Sequence, residues 1–281
     1  MKKLLILITL FSSFLATSQE IETSEDETSF EKAVTHAYRE ENEKALESFT
    51  SFLNQYPDSF LKPRAKFNIG IVLRKLGRND EAILVFSEIL NSDYNEKESS
   101  GGIMEKYALY KNRSAKELAE MYFEKKEYKK ASDYIYLFDK KYKYLHFCGN
   151  EMRADDIYIA TWYAKIFLAQ NKPEKAISKL LPYLFDDGLA SNSKALDVFE
   201  ESLKMKYSTE EIKAFVNTAV KSLKIKSEDE AKITFLGKKL TVFDYQLYNP
   251  RNPNRNANLE LRGLEKFEAV LASHPLFSKY L

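Results

Sequence analysis

Ala65-Lys66-Phe67-Asn68-Ile69-Gly70-Ile71-Val72-Leu73-Arg74-Lys75-Leu76-Gly77-Arg78-Asn79-Asp80-Glu81-Ala82-Ile83-Leu84-Val85-Phe86-Ser87-Glu88-Ile89-Leu90 is the stretch that decides the fold. Ala65, Ile69, Val72 and Leu73 recur at helical spacing, and so do Ala82, Phe86, Ile89 and Leu90. The polar turn between them is too short for anything but an antiparallel return, so the two helices must lie side by side. Twelve residues before Ala82 stands Gly70, and nine before it stands Leu73. Two helices cross closely only where a small residue meets a small residue and bulky neighbours fill the groove beside the crossing.

The same arrangement recurs along the chain. Ala45, Ala131 and Ala176 each follow a polar turn, and each is followed four residues later by a large apolar side chain, as Ala82 is. Ala33, Ala119 and Ala164 stand at the position of Gly70; Tyr122 and Phe167 stand at that of Leu73, where the first unit has His36. The Ala-to-Ala spacings are 37, 49 and 45 residues, with extra chain at Asn91–Lys111 (including Ser99-Ser100-Gly101-Gly102) and at Lys140–Arg153. A fifth pair, Ala195–Tyr207 and Thr209–Leu223, keeps the period without the alanine, and Ser208-Thr209-Glu210-Glu211 opens its second helix as a capping box.

On these residues the chain resembles a tetratricopeptide-repeat (TPR) protein, similar to those of outer-membrane assembly and cell-envelope coordination. Ile69-Gly70, Leu118-Ala119 and Tyr163-Ala164 match the apolar-then-small pair of the family's first helix, the four alanines open its second, and Tyr56-Pro57 matches its closing proline. Pro63 suits the first turn of the next helix, where a missing N–H costs nothing. The family repeat is about 34 residues, so this array is irregular. The expected fold is all-α, a TPR-like helical-hairpin solenoid over 30–223 with a small C-terminal β-hairpin plus helix over 224–281.

In that C-terminal unit, Lys232–Leu236 and Leu240–Tyr245 flank Gly237-Lys238-Lys239 and read as a hairpin. Asn249–Asn256 reads as an exposed loop and Leu259–Ala272 as a final helix ended before Pro275. The unit is expected to cap the apolar end that a solenoid exposes.

At the other end, Lys2 and Lys3 precede the apolar Leu4–Leu15 stretch and the small residues Ala16-Thr17-Ser18, the pattern of an export signal over 1–18. Its loss would take the formal charge from +1 to −1. An acidic leader is expected over 19–29. The mature chain is then expected in the periplasm or outside the cell, without a further span. Near-neutral charge argues against nucleic acid as a partner.

Chemistry is sparsely signalled. No zinc helix, nucleophile elbow, P-loop or dinucleotide fingerprint occurs, so neither catalytic residues nor a cofactor is expected. His146-Phe147-Cys148 lacks a second ligand pair, which leaves no metal site and makes Cys148 a small buried side chain. Asp155-Asp156 and Asp186-Asp187 read as solvated charge rather than as a convergent acid–base pair.

The resemblance implies a concave groove lined by first helices that takes a partner protein or peptide. Its positions fall on Phe67, Ile71 and Arg74, then Lys116, Glu120 and Phe123, then Tyr158, Thr161 and Lys165. The family's Lys/Asn clamp for a peptide carboxylate is not reproduced, since Glu120 and Thr161 occupy its places. The expected function is a non-enzymatic protein-interaction scaffold of the cell envelope. The alternative is a carbohydrate-binding helical-repeat protein, suggested by the abundance of tyrosine and phenylalanine.

Overall fold

The computed structural model describes residues 24–94, 109–144, 148–248, 258 and 260–281. The expected export signal, the Ser99–Gly102 connection, His146-Phe147 and the Asn249–Asn256 loop lie outside the described residues.

Helices α1 (Glu25–Tyr38), α2 (Asn42–Gln55), α3 (Lys62–Lys75) and α4 (Asn79–Asn91) form two consecutive hairpins. They are followed by α5 (Leu109–Glu124), α6 (Tyr128–Tyr136), α7 (Gly149–Ala169) and α8 (Pro173–Leu180), then by α9 (Ser193–Lys206) and α10 (Thr209–Lys221). The helical-hairpin array stands as expected. Ala33, Ala45, Ala65, Ala82, Ala115, Ala119, Ala131, Ala164 and Ala176 are all fully buried at the crossings. At Gly70 the approach is closest: a Cβ there would lie 2.6 Å from the Phe86 ring.

The turns inside the first four hairpins share one geometry. Glu40, Gly77, Lys126 and Asn171 each take a left-handed conformation five residues before the crossing alanine. The next amide then reaches back to a carbonyl five residues earlier: Glu41 to His36 (3.0 Å), Arg78 to Leu73 (2.9 Å), Glu127 to Tyr122 (2.8 Å) and Lys172 to Phe167 (2.8 Å). This is the Schellman closure of a helix C-terminus. The fifth hairpin closes differently, with extended Tyr207 and the Ser208–Glu211 capping box that the sequence indicates.

Several expectations are corrected. Helix α1 starts at Glu25, capped by Ser24 and Glu27, so residues 25–29 of the stretch expected as a leader are helical; the carboxylates of Glu25, Asp26 and Glu27 complement the helix dipole. Cys148 is exposed rather than buried, because it precedes α7. Between α6 and α7 the chain passes through a π-turn over Leu137–Lys141.

The C-terminal unit holds one strand more than expected. β1 (Lys224–Ile225), β2 (Glu230–Phe235) and β3 (Lys238–Phe243) form an antiparallel sheet in that order. Its tight turn is Leu236-Gly237, both left-handed, so Lys238 and Lys239 belong to the strand and not to the turn. Among the described residues, helices α11 (Tyr245–Tyr248), α12 (Gly263–Ser273) and α13 (Phe277–Tyr280) follow. Among the described residues this unit shares a core with the end of the array. Phe199 of α9 lies 6.4 Å from Phe235 of β2, which lies 5.4 Å from Phe277, within one core that runs from Ile157 to Tyr280. Among the described residues no helix is long and apolar enough to cross a membrane.

Candidate functional site

Arg74 stands in the last turn of α3, and Glu117, Glu120 and Glu124 stand on one face of α5 at spacings of a turn. Nη1 of Arg74 reaches Glu117 (2.5 Å) and Glu120 (3.2 Å), and Nη2 reaches Glu124 (2.7 Å). Partial burial works against the guanidinium charge, but the hydrogen bonds and charges of these carboxylates hold its proton more firmly than usual. One cation thus ties three carboxylates and fixes α3 against α5.

The same cluster reaches α7. The Tyr158 hydroxyl donates to Oε1 of Glu120 at 2.6 Å. Burial, and then the carboxylate itself, push the phenol well above its ordinary pKa, so it stays a donor. Beside it, Phe123 meets Trp162 edge-on with ring centroids 5.3 Å apart, and Tyr158 lies 6.2 Å from Trp162. Lys116 lies over the Tyr158 ring at 4.4 Å and Lys165 over the Trp162 ring at 4.7 Å. Such contacts hold an ammonium near an aromatic face while leaving it wet.

A cleft of about 700 Å³ opens beside this ledge. Glu120, Tyr158, Trp162 and Lys165 line one side; Ser191 and Lys194, at the start of α9, line the other. The volume falls within the range of ligand-binding clefts.

Of the nine groove positions expected from the sequence, six come together on the ledge, two are buried and one packs elsewhere. Phe67 is only 8% exposed and packs against Phe86 (5.5 Å) and Tyr110 (5.8 Å), so it belongs to the core between α3, α4 and α5. Thr161 is 6% exposed and donates to the Ile157 carbonyl at 2.7 Å, which makes it floor rather than a contact group. Ile71 is half-buried on the first core, apart from the cleft. Arg74, Lys116, Glu120, Phe123, Tyr158 and Lys165 come together. Trp162, which the register omits, sits at their centre; its place at i+4 from Tyr158 was the available signal.

Other side chains singled out in the sequence have structural partners. Asp187 lies 2.9 Å from Nε of Arg153 as an ion pair without hydrogen-bond alignment, and Asp186 accepts from the Gly188 amide at 2.8 Å. Burial raises the pKa of Asp186. These two carboxylates therefore shape the turn at left-handed Gly188 instead of standing free in solvent. Among the described residues, no three His, Cys, Asp or Glu side chains converge as a metal ion would need.

Residues 27–59, covering α1, α2 and the turn after them, match the family model of the tetratricopeptide repeat. Among solved structures, the chain resembles "MamA RS-1 ArsTM double mutant" at 16% identity and a TM-score of 0.41, over 65% of this chain and 80% of that one. No curated protein matches the sequence. The architecture is TPR-like, an all-α hairpin array completed by a small sheet.

Proposed function

We propose that this chain is a non-catalytic scaffold of the cell envelope that holds a segment of a partner protein along the ledge of α5 and α7. The observation that carries this reading is the self-satisfied ledge. Glu120 already holds Arg74 and Tyr158, so what remains for a partner is aromatic surface from Phe123, Tyr158 and Trp162, bordered by Lys116, Lys165 and Lys194. Tyrosine and tryptophan are among the side chains that dominate protein-binding hot spots. Satisfied carboxylates are poor general acids or bases, which supports binding over chemistry. Export rests on the sequence of the first eighteen residues and places the partner in the envelope or beyond it.

Capture from envelope extracts by wild type and by a Phe123→Ala/Tyr158→Ala variant tests the assignment, with circular dichroism as the folding control. Loss of the captured protein supports the ledge. Capture unchanged in a folded variant removes it. For a sugar the site is less suited, because Lys165 lies over one Trp162 face and Phe123 meets its ring edge-on. Glycan-array binding that depends on Trp162 would replace the protein-binding reading.

A further inference from the structure

Among the described residues, the sheet ends in an open edge. A two-residue turn closes on a hydrogen-bonded pair, here Phe235 with Lys238, and bonded pairs then alternate along the ladder. Ile233–Leu240 and Ala231–Val242 are therefore the bonded pairs, and the Asp244 amide continues the series to the Asp229 carbonyl. It follows that the backbone groups of Lys239, Thr241 and Phe243 point away from β2. Among the described residues they have no backbone or side-chain partner. The other side of the sheet is closed: β1 pairs with β2 there, and the Thr234 amide is taken by the Ser222 hydroxyl at 2.7 Å.

Along the open edge runs a cleft of about 470 Å³. Lys238, Lys239, Leu240, Thr241 and Phe243 line it, residues from both faces of β3, as only a space beside the strand's edge allows. Leu181 and Phe185 form its apolar wall. Its charge is mostly positive. Asp187 is held by Arg153, whereas Lys238 and Lys239 are exposed and have no ion-pair partner among the described residues.

We propose that β3 is a docking edge for an extended acidic segment of a partner protein, which adds to the sheet as a fourth strand. Backbone pairing to Lys239, Thr241 and Phe243 supplies the register, as in other cases of strand addition. Side chains of the added strand alternate in direction. Those on the Leu240 side enter the Leu181–Phe185 wall and are apolar; those on the Lys239 side are carboxylates. The preferred segment therefore alternates acidic and apolar residues. This edge lies apart from the α5–α7 ledge and does not depend on the function proposed for it. Lysines on an edge strand also discourage pairing between copies, which favours an acidic partner over a second copy of this chain.

Fluorescence anisotropy with a labelled synthetic hexapeptide alternating glutamate and valine tests the proposal on the full chain. Three further probes complete the test: the two versions N-methylated at alternate residues, and the lysine–valine analogue. In an added strand only one alternate set of amides faces β3, so one methylated peptide loses binding and the other keeps it. Lys239→Glu weakens binding by about fivefold or more, and Trp162→Ala leaves it unchanged. Thr241→Pro also weakens it; this removes an outward N–H without touching the ladder to β2, and proline is tolerated on edge strands. Equal binding of the two methylated peptides, equal binding of the lysine–valine analogue, or no binding of the parent peptide overturns the proposal. Self-association of the chain abolished by Thr241→Pro, without peptide binding, would assign the edge to a second copy instead.

Discussion

His274 is fully buried, and both ring nitrogens are engaged. Nε2 donates to the Leu184 carbonyl at 2.9 Å, while Nδ1 accepts from the Leu276 and Phe277 amides at 3.2 and 3.4 Å. Burial lowers its pKa from 6.5 to about 4, with the Leu184 carbonyl opposing only in part. The folded ring is thus neutral where the unfolded chain's histidine takes up a proton. Its contribution is complete above the unfolded value and is lost as pH falls from about 6.5 towards 4. Urea unfolding should show wild type losing about 2 kcal/mol from this group between pH 7 and pH 5. His274→Gln should show a flatter slope across the same window. Nothing local in the sequence marks this residue, since its carbonyl partner is ninety positions away. Gly70 is the opposite case: its small size twelve residues before Ala82 already implied the close contact that the Phe86 ring makes.

At the scale of elements, the helices were legible and their turns were only partly so. Period and small-residue spacing depend on neighbours a turn away, and those lie in the same stretch of sequence. The left-handed residue of each Schellman turn was visible at Gly77 and, more weakly, at Asn171, whereas Glu40 and Lys126 fill the other two places. Left-handed backbone crowds any Cβ against the carbonyl that follows it, a cost of about 1–2 kcal/mol that glycine escapes. Lys126 is exposed, so its side chain contributes little there. Lys126→Gly should therefore stabilise the chain by about 1 kcal/mol, read as a rise in the urea midpoint at unchanged slope. A fall would show that the turn relaxes without strain. The sheet illustrates the other limit: β1 is two residues long and carries no strand pattern of its own, so only its pairing with β2 defines it.

Over the whole molecule the buried residues form three clusters: one over α1–α4 with part of α5, one between α5, α6 and α7, and one from α7 to the C-terminus. The last joins Phe199 and Val216 of the array to Ile233, Phe235, Phe267 and Phe277. A division of the chain at 223/224 therefore cuts a core. Deleting 224–281 should expose that face, and hydrogen exchange should rise in α9 and α10 while α1–α4 keep their protection, as expected where each unit packs only on its neighbours. Uniform loss of protection would show a single cooperative core. By itself the sequence determined the helical hairpins, their crossing alanines and the hairpin near the C-terminus, because periodicity and residue size act over a few positions. Tertiary structure alone decided that Phe67 faces inward, that Trp162 rather than Thr161 meets Phe123, that Arg74 gathers three carboxylates, and that one edge of β3 has no partner strand among the described residues. Each of these depends on which surfaces meet between elements distant in sequence, and irregular connections set that register, not the repeat.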